Sequence, residues 1–219
     1  MMVVPKTLVH WTLVLLLALS GPVLAQTPAS STPPARVISV SGTAVVDGSS
    51  IARGTALQVG QIIETGPASR VRMRFVGGSL LTLGENTTFE LTEYEPATND
   101  KPQQAYFRVL EGVILAVAEG ITPGTDSFVI ETQAATMGIR GTIVWGGYFI
   151  PGQADYVLLE GGPVVIANEF GTIELREPGQ GTTVLVDPAG VGETAPYDPT
   201  FWSAGKAIEA VTTIAIPSN

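Results

Sequence analysis

One arginine in this chain lies between two glycines, in the segment Gly138-Ile-Arg-Gly-Thr142. Glycine allows positive φ and a close approach of another segment, so the backbone on each side of Arg140 can fix the direction of its guanidinium. A guanidinium held in this way either anchors the fold, by donating to carbonyls or a carboxylate, or recognises a group on a partner. Gly138, Arg140, Gly141 and Thr142 are therefore structural or recognition candidates, and the ordinary use of glycine at constrained backbone favours a buried or half-buried anchor.

A second set of arginines alternates along Arg70-Val-Arg-Met-Arg-Phe75. Successive side chains of a strand point to opposite faces, so Arg70, Arg72 and Arg74 share one face. Such a row either pairs with acids on neighbouring strands or meets a polyanionic partner, and pairing within the sheet is the commoner arrangement. The acids expected to pair with this row are Glu90, Glu93 and Glu95.

Few residue types that catalyse reactions are present. The chain has no cysteine, and its single histidine is His10. The chain after His10 therefore cannot form nucleophile–base pairs or zinc sites built from His or Cys. Glu93 and Glu95 share one strand face and could act alone, as carboxylates do in glycosidases. Exposed glutamate rows are common, so we expect no catalytic, cofactor-binding or metal-binding residue and keep a carboxylate-dependent glycan hydrolase as the lesser alternative.

Residues 1–25 have the pattern of a secretory signal peptide. Lys6 supplies the positive charge, Leu8–Leu19 form the apolar stretch, and Val23-Leu-Ala25 precede the expected cleavage point. The apolar stretch is shorter than the roughly 20 residues that a spanning helix needs. We therefore expect cleavage, no stable membrane span afterwards, and a periplasmic or secreted protein.

The charge balance excludes one class of partner. Residues 1–25 contain one lysine, Lys6, and no acidic residue. The cleaved chain therefore carries ten lysines and arginines against 20 acidic residues, a net charge of −10. Binding to nucleic acid or to anionic lipid requires a basic footprint. The sequence thus predicts no nucleic-acid partner.

Short β-type runs separated by glycine turns predict an all-β fold. Residues 26–36 form a polar, Pro-rich leader that we expect to be disordered, and residues 37–187 form the β domain. Many short strands of this kind are typical of a β-sandwich or a short β-solenoid, and the sequence leaves both open. Residues 188–219 read as a loop and a short C-terminal helix, which begins near Pro199 and docks Phe201 and Trp202 on the β core.

The ordered series of glycine motifs resembles a FecR-type domain, named for a periplasmic regulator of ferric citrate uptake. The likeness covers about residues 37–187. The pieces that carry it are Val40-Ser-Gly-Thr-Ala-Val45, Gly60-Gln-Ile-Ile-Glu-Thr-Gly66, Gly78-Ser-Leu-Leu-Thr-Leu-Gly84, Val109-Leu-Glu-Gly112 and Gly138-Ile-Arg-Gly-Thr142. The resemblance implies an all-β extracytoplasmic module, which in the regulators senses the state of an outer-membrane transporter and passes it to a sigma factor.

Only Met1–Pro5 precede the signal, so we expect no cytoplasmic segment that could hold a sigma factor, and the chain is similar to exported stand-alone members. The sequence therefore favours an exported, non-enzymatic module that binds an envelope protein or polymer. A periplasmic signalling component related to sigma-factor or iron-uptake regulation is the alternative.

Overall fold

Two nine-stranded sheets make up the fold. The computed structural model describes residues 32–122 and 124–216, so the predicted signal peptide and most of the predicted leader lie outside the described residues. The first sheet, sheet A, has the strand order β18-β17-β14-β13-β10-β7-β6-β1-β4. The second, sheet B, has the order β16-β15-β12-β11-β9-β8-β5-β2-β3. The all-β prediction is confirmed.

The strands are short. Those of the first half of the chain are β1 Ala35–Ser41, β2 Ala44–Val46, β3 Ser49–Ser50, β4 Ala56–Leu57, β5 Ile62–Thr65, β6 Arg70–Phe75, β7 Leu80–Leu83, β8 Thr88–Glu95 and β9 Gln104–Glu111. Those of the second half are β10 Val113–Val117, β11 Ser127–Thr132, β12 Thr136–Ile139, β13 Ile143–Gly147, β14 Gln153–Glu160, β15 Val164–Asn168, β16 Gly171–Leu175, β17 Gln180–Leu185 and β18 Thr200–Phe201. A single helix, α1, spans Ala204–Thr212 among the described residues.

The chain crosses repeatedly between the two sheets. After β6 and β7 in sheet A come β8 and β9 in sheet B, then β10 in sheet A, and β11 and β12 in sheet B. Neighbouring strands are antiparallel, except that β11 runs parallel to β9. The fold is thus a two-sheet sandwich whose strands are added by a winding chain, which accounts for the solenoid-like spacing of the glycine turns.

One continuous apolar core lies between the sheets. Sheet A contributes Phe75 and sheet B contributes Phe107, whose ring centroids are 5.0 Å apart. Phe107 also contacts Phe89 and Phe128, with centroid distances of 5.6 and 5.2 Å. The alternation of buried and exposed residues in β6 and β9 follows directly from this packing, because only one face of each strand reaches the core.

The ends of the β structure differ from the predicted boundaries. Strand β1 starts at Ala35, which is buried, so the last two residues of the predicted leader belong to sheet A. At the other end, Thr200–Phe201 pair with β17 instead of starting the helix. The helix begins after Ser203, whose side chain accepts a hydrogen bond from the Lys206 backbone N–H.

Candidate functional site

The Gly138–Thr142 segment connects the two sheets. Strand β12 in sheet B ends at Ile139, and β13 in sheet A begins at Ile143. Gly141 has φ of +70°, which a residue with a side chain adopts only under strain. A Cβ atom on Gly161 would lie 2.8 Å from the Gly141 carbonyl oxygen, so two backbone segments are packed directly together here. The glycines therefore shape the crossover.

The predicted anchor role of Arg140 is wrong. Arg140 is exposed, and its side chain makes no hydrogen bond or ion pair within the described residues. The buried residues of the segment are Ile139 and Thr142, and the Thr142 carbonyl accepts a hydrogen bond of 3.0 Å from the Ala118 N–H. The crossover places Arg140 at its outer bend, because Ile139 and Thr142 take the two buried positions on either side.

The arginine row lies on the outer face of sheet A. On β6 the inward positions are Val71, Met73 and Phe75, all buried, and the arginines occupy the alternate positions. The antiparallel register with β1 places Arg36 directly opposite Arg74. We call the surface formed by Arg36, Arg70, Arg72 and Arg74 the arginine face.

The expected pairing of this row with glutamates is also wrong. Glu90, Glu93 and Glu95 lie on β8, which belongs to sheet B. Glu90 pairs instead with Arg108 on the adjacent strand, at 3.4 Å. No arginine of the arginine face forms an ion pair with a carboxylate among the described residues. Strand proximity in sequence misled the prediction, because the chain changes sheets between β7 and β8.

The guanidinium groups of the arginine face donate hydrogen bonds to neutral acceptors, and these bonds use only some of their N–H groups. The Arg72 Nε atom donates to Thr82 Oγ1 at 3.0 Å, and Arg70 Nη1 donates to the Ser69 carbonyl at 2.7 Å. Arg36 Nη1 donates to the Gly54 carbonyl at 3.3 Å. The Nε atom of Arg70 is buried and makes no hydrogen bond. A guanidinium has five N–H donors, so most remain open to an incoming acceptor.

One row of cross-strand neighbours on sheet A runs from the arginine face to the crossover. Arg74 is opposite Leu80, Leu80 is opposite Val117, and Val117 is opposite Ile143, which follows the crossover. Three strand spacings separate Arg74 from Ile143, or about 14 Å. The three apolar residues of this row, Leu80, Val117 and Ile143, are only half-buried. We call them the apolar strip.

The C-terminal helix covers the other part of the same outer face. Val113, Trp145 and Val157 of sheet A are buried against Ala210 and Ile214. The fold therefore makes a second, smaller apolar core on the outside of the sheet. Trp145 of β13 is fully buried in this core, and Phe149, just after the strand, packs against it.

An ion pair that the sequence analysis missed holds the helix. Lys206 Nζ lies 2.8 Å from Asp155 Oδ1, and the Asp155 side chain is fully buried. Asp155 also accepts hydrogen bonds from Thr183 Oγ1 and Gln153 Nε2, at 2.6 and 2.7 Å. The same Lys206 atom lies 4.1 Å from the centre of the Trp202 ring. In the sequence, Trp202 and Lys206 are four residues apart, which is the one local sign of their contact. Nothing in the sequence identifies Asp155 as the partner of Lys206.

The two carboxylates of the hydrolase alternative lie in the open. Glu93 and Glu95 are both exposed on β8. A cleft of about 560 Å³ lies elsewhere and is lined by Tyr148, Phe149 and Asp187 among others. Within residues 32–122 and 124–216, no group of three or more His, Cys, Asp or Glu side chains is placed to hold a metal ion.

Tyr156 is a fully buried ionisable group in the interior of the fold. Desolvation raises the pKa of Tyr156 far above its ordinary value, and the Thr132 hydrogen bond offsets only part of this. Its hydroxyl lies 2.7 Å from Thr132 Oγ1, in the core between the sheets. Tyr156 is therefore a neutral structural group, and its position away from the surface separates it from both the arginine face and the crossover.

Comparison with known proteins identifies the domain. Residues 61–162 match the family model described as FecR protein. The matched residues run from the start of β5 to the end of β14 and include Arg70, Arg72, Arg74 and the whole crossover. The FecR-type resemblance that the ordered glycine motifs predicted is confirmed over these residues.

Solved structures share this fold. Two crystal structures, at 2.50 and 1.65 Å, of a protein from Parabacteroides distasonis described as a "putative anti-sigma factor" superpose with a TM-score of 0.51 and 14% sequence identity. The match covers 67% of this chain and spans 62% of the length of those chains. The search of curated proteins found no match. No helix within the described residues is long and apolar enough to cross a membrane.

Proposed function

We propose that this chain is an exported, non-enzymatic regulatory module that acts by binding another protein of the cell envelope. The observation that carries the proposal is the FecR-family match over residues 61–162. The description of the Parabacteroides protein as an anti-sigma factor supports a signalling context, since the two chains share a fold. Export is supported by the signal-like composition of residues 1–25.

The outer face of sheet A supports binding by a surface of the fold. It presents the arginine face and the apolar strip beside it, while the remainder of this face is occupied by α1. A surface that mixes arginine with half-exposed apolar groups has the composition of a protein interface. Glu93 and Glu95 of β8 are exposed, so they do not form the enclosed site that a hydrolase needs.

A deletion experiment tests the regulatory role. The gene is removed from the source organism, and transcripts are compared among the wild type, the deletion strain and the complemented strain. We expect a limited, coherent set of genes to change and to be restored by the full chain. An unchanged transcript profile under envelope stress and metal limitation would contradict the regulatory role.

A matched control separates export from mere presence of the protein. A chain that lacks residues 2–25 retains the whole described fold but lacks the signal-like segment. We expect this variant to accumulate in the cytoplasm and to fail in complementation, whereas the full chain is found outside it and begins at Gln26. Full complementation by the shortened chain would show that the protein acts inside the cell.

A further inference from the structure

We propose that the arginine face binds an extended, acidic segment of the partner protein, in which carboxylates occupy alternate positions. This inference rests on the proposed function, because it names the chemistry of the partner. It is drawn from the charge of the surface, the spacing of its arginines and the apolar strip beside them.

The arginine face concentrates positive charge on an acidic protein. The chain has 20 acidic residues and 11 basic ones, yet the four arginines of this surface meet no carboxylate among the described residues. By contrast Arg108, on sheet B, pairs with both Glu90 and Glu131, each at 3.4 Å. An acidic protein that leaves four arginines together without acids has a surface complementary to negative charge.

The spacing of the arginines specifies an extended ligand. Arg70, Arg72 and Arg74 occupy alternate positions of β6 and therefore stand about 6.7 Å apart. Side chains at alternate positions of an extended peptide have the same spacing. Each guanidinium can then take one carboxylate through its exposed N–H groups.

The neighbouring apolar strip indicates a polypeptide and not a polysaccharide. Leu80, Val117 and Ile143 continue the same cross-strand row as Arg74 and are only half-buried. An acidic polysaccharide supplies carboxylates but few apolar side chains to cover such a strip. A protein partner supplies both: its acidic segment lies along β6, and an adjoining part of it covers the strip, which runs across the strands from Leu80. Burial of this apolar area adds to the affinity of the charged pairs.

The direct test is a binding titration with a defined probe. The probe is a short fluorescein-labelled extended peptide in which three glutamates and then two leucines occupy alternate positions, so that they share one face, with threonine at the positions between. Its control has glutamine in place of glutamate. Binding to the full exported chain is followed by fluorescence anisotropy at low and at physiological salt. We expect the glutamate peptide to bind and the glutamine peptide to bind at least about tenfold more weakly. Salt should weaken binding of the glutamate peptide, because it screens exposed charges.

Variants assign the binding to these arginines. Changing Arg70, Arg72 and Arg74 to Gln one at a time is expected to weaken binding about three- to tenfold each, and the triple variant by about 100-fold or more. Arg72→Lys keeps the charge but lacks the planar fork, so it also weakens binding. The matched control is Arg176→Gln, which removes an exposed arginine paired with Glu174 and leaves binding unchanged.

Three results would overturn the proposal. They are equal binding by the triple variant, equal or tighter binding of polygalacturonate than of the glutamate peptide, and self-association of the chain that depends on the same arginines in sedimentation velocity. The last would mean that exposed acids such as Glu93 and Glu95 of a second copy are the ligand.

The complementation experiment distinguishes this failure from failure of the proposed function. If the triple variant folds, fails to bind the peptide and still restores regulation in the deletion strain, the arginine face is not the docking surface although the regulatory role stands. If deletion changes no transcripts, the regulatory role fails whatever the peptide does.

Discussion

The two ends of one face of sheet A are built in opposite ways. At the end formed by β13, β14 and β17, a buried carboxylate, Asp155, meets Lys206, and α1 covers the surface. At the end formed by β1 and β6, four arginines meet no carboxylate among the described residues, and α1 does not cover them. The chain thus satisfies the buried charge of one end with its own C-terminal segment, whereas the arginines of the other end have no acidic partner among the described residues.

The largest effect should come from breaking the covered end at its centre. Trp145 is fully buried, contacts Trp202 with ring centroids 5.9 Å apart, and donates from Nε1 to Thr213 Oγ1 at 3.1 Å. Trp145→Ala should lower the free energy of unfolding by about 3–5 kcal/mol, since it leaves a large cavity under α1. Urea unfolding followed by circular dichroism measures this. Phe201→Ala is the matched control, because Phe201 is 64% exposed and should cost little.

A second, smaller effect should come from removing only the cation of the covered end. Lys206→Met keeps most of the side-chain volume but leaves the buried Asp155 carboxylate with only its neutral donors. We expect a loss of about 1–3 kcal/mol in unfolding free energy, and faster proteolysis of residues 203–216. Lys101→Met, which removes an exposed lysine, should have no such effect. Equal stability of both variants would show that the ion pair does not hold the helix.

A pH effect should appear away from this face, in the turn that precedes β11. The Asp126 carboxylate accepts from the backbone N–H groups of Thr122 and Gln103, at 2.7 and 2.8 Å, and these bonds lower its pKa. A lowered pKa means that the carboxylate stabilises the fold above its ordinary pKa and loses this effect as the pH falls through the folded value. Wild type should therefore exceed Asp126→Asn in thermal stability at pH 7 by a small margin, which is lost as the pH falls through the lowered pKa of Asp126. A margin independent of pH would assign the effect to something other than the charge.

The smallest effect on stability is expected at the open end and at the crossover. Arg140→Lys should change the unfolding free energy by less than about 0.5 kcal/mol, because Arg140 is exposed and makes no contact that the fork geometry serves. The triple Gln variant of the arginine face should also fold normally, since it removes neighbouring like charges that lack acidic partners. A large loss of stability in either variant would return these arginines to a structural role.

The fold was largely predictable because periodicity and glycine turns are local signals. The alternation in Arg70–Phe75 correctly placed Val71, Met73 and Phe75 in the core and the arginines on the outside. Strand β12, Thr136–Ile139, was harder to recognise, because its glycine weakens the β pattern. The C-terminal helix was anticipated, but Phe201 is exposed and only Trp202 packs on the sheet, since Thr200–Phe201 pair at an edge.

The site was much less predictable because it depends on which sheet each strand joins. Glu90 follows Arg74 closely in sequence, yet the two residues lie on opposite sheets. Asp155 and Lys206 lie 51 residues apart, and no local pattern links them. Burial is likewise a property of the assembled fold, so Arg140 could be identified as distinctive from sequence but not as exposed.

In-cell photo-crosslinking tests most directly whether the two ends of sheet A differ in this way. A photoreactive amino acid is introduced at Ser39, which is opposite Arg72 on the outer face of sheet A, and in a separate strain at Thr172 on the outer edge of sheet B. We predict that Ser39 yields a crosslink to one envelope protein and that the crosslink is lost when Arg70, Arg72 and Arg74 are changed to Gln. A crosslink at Thr172 but not at Ser39, or one at Ser39 that persists without the arginines, would contradict the account.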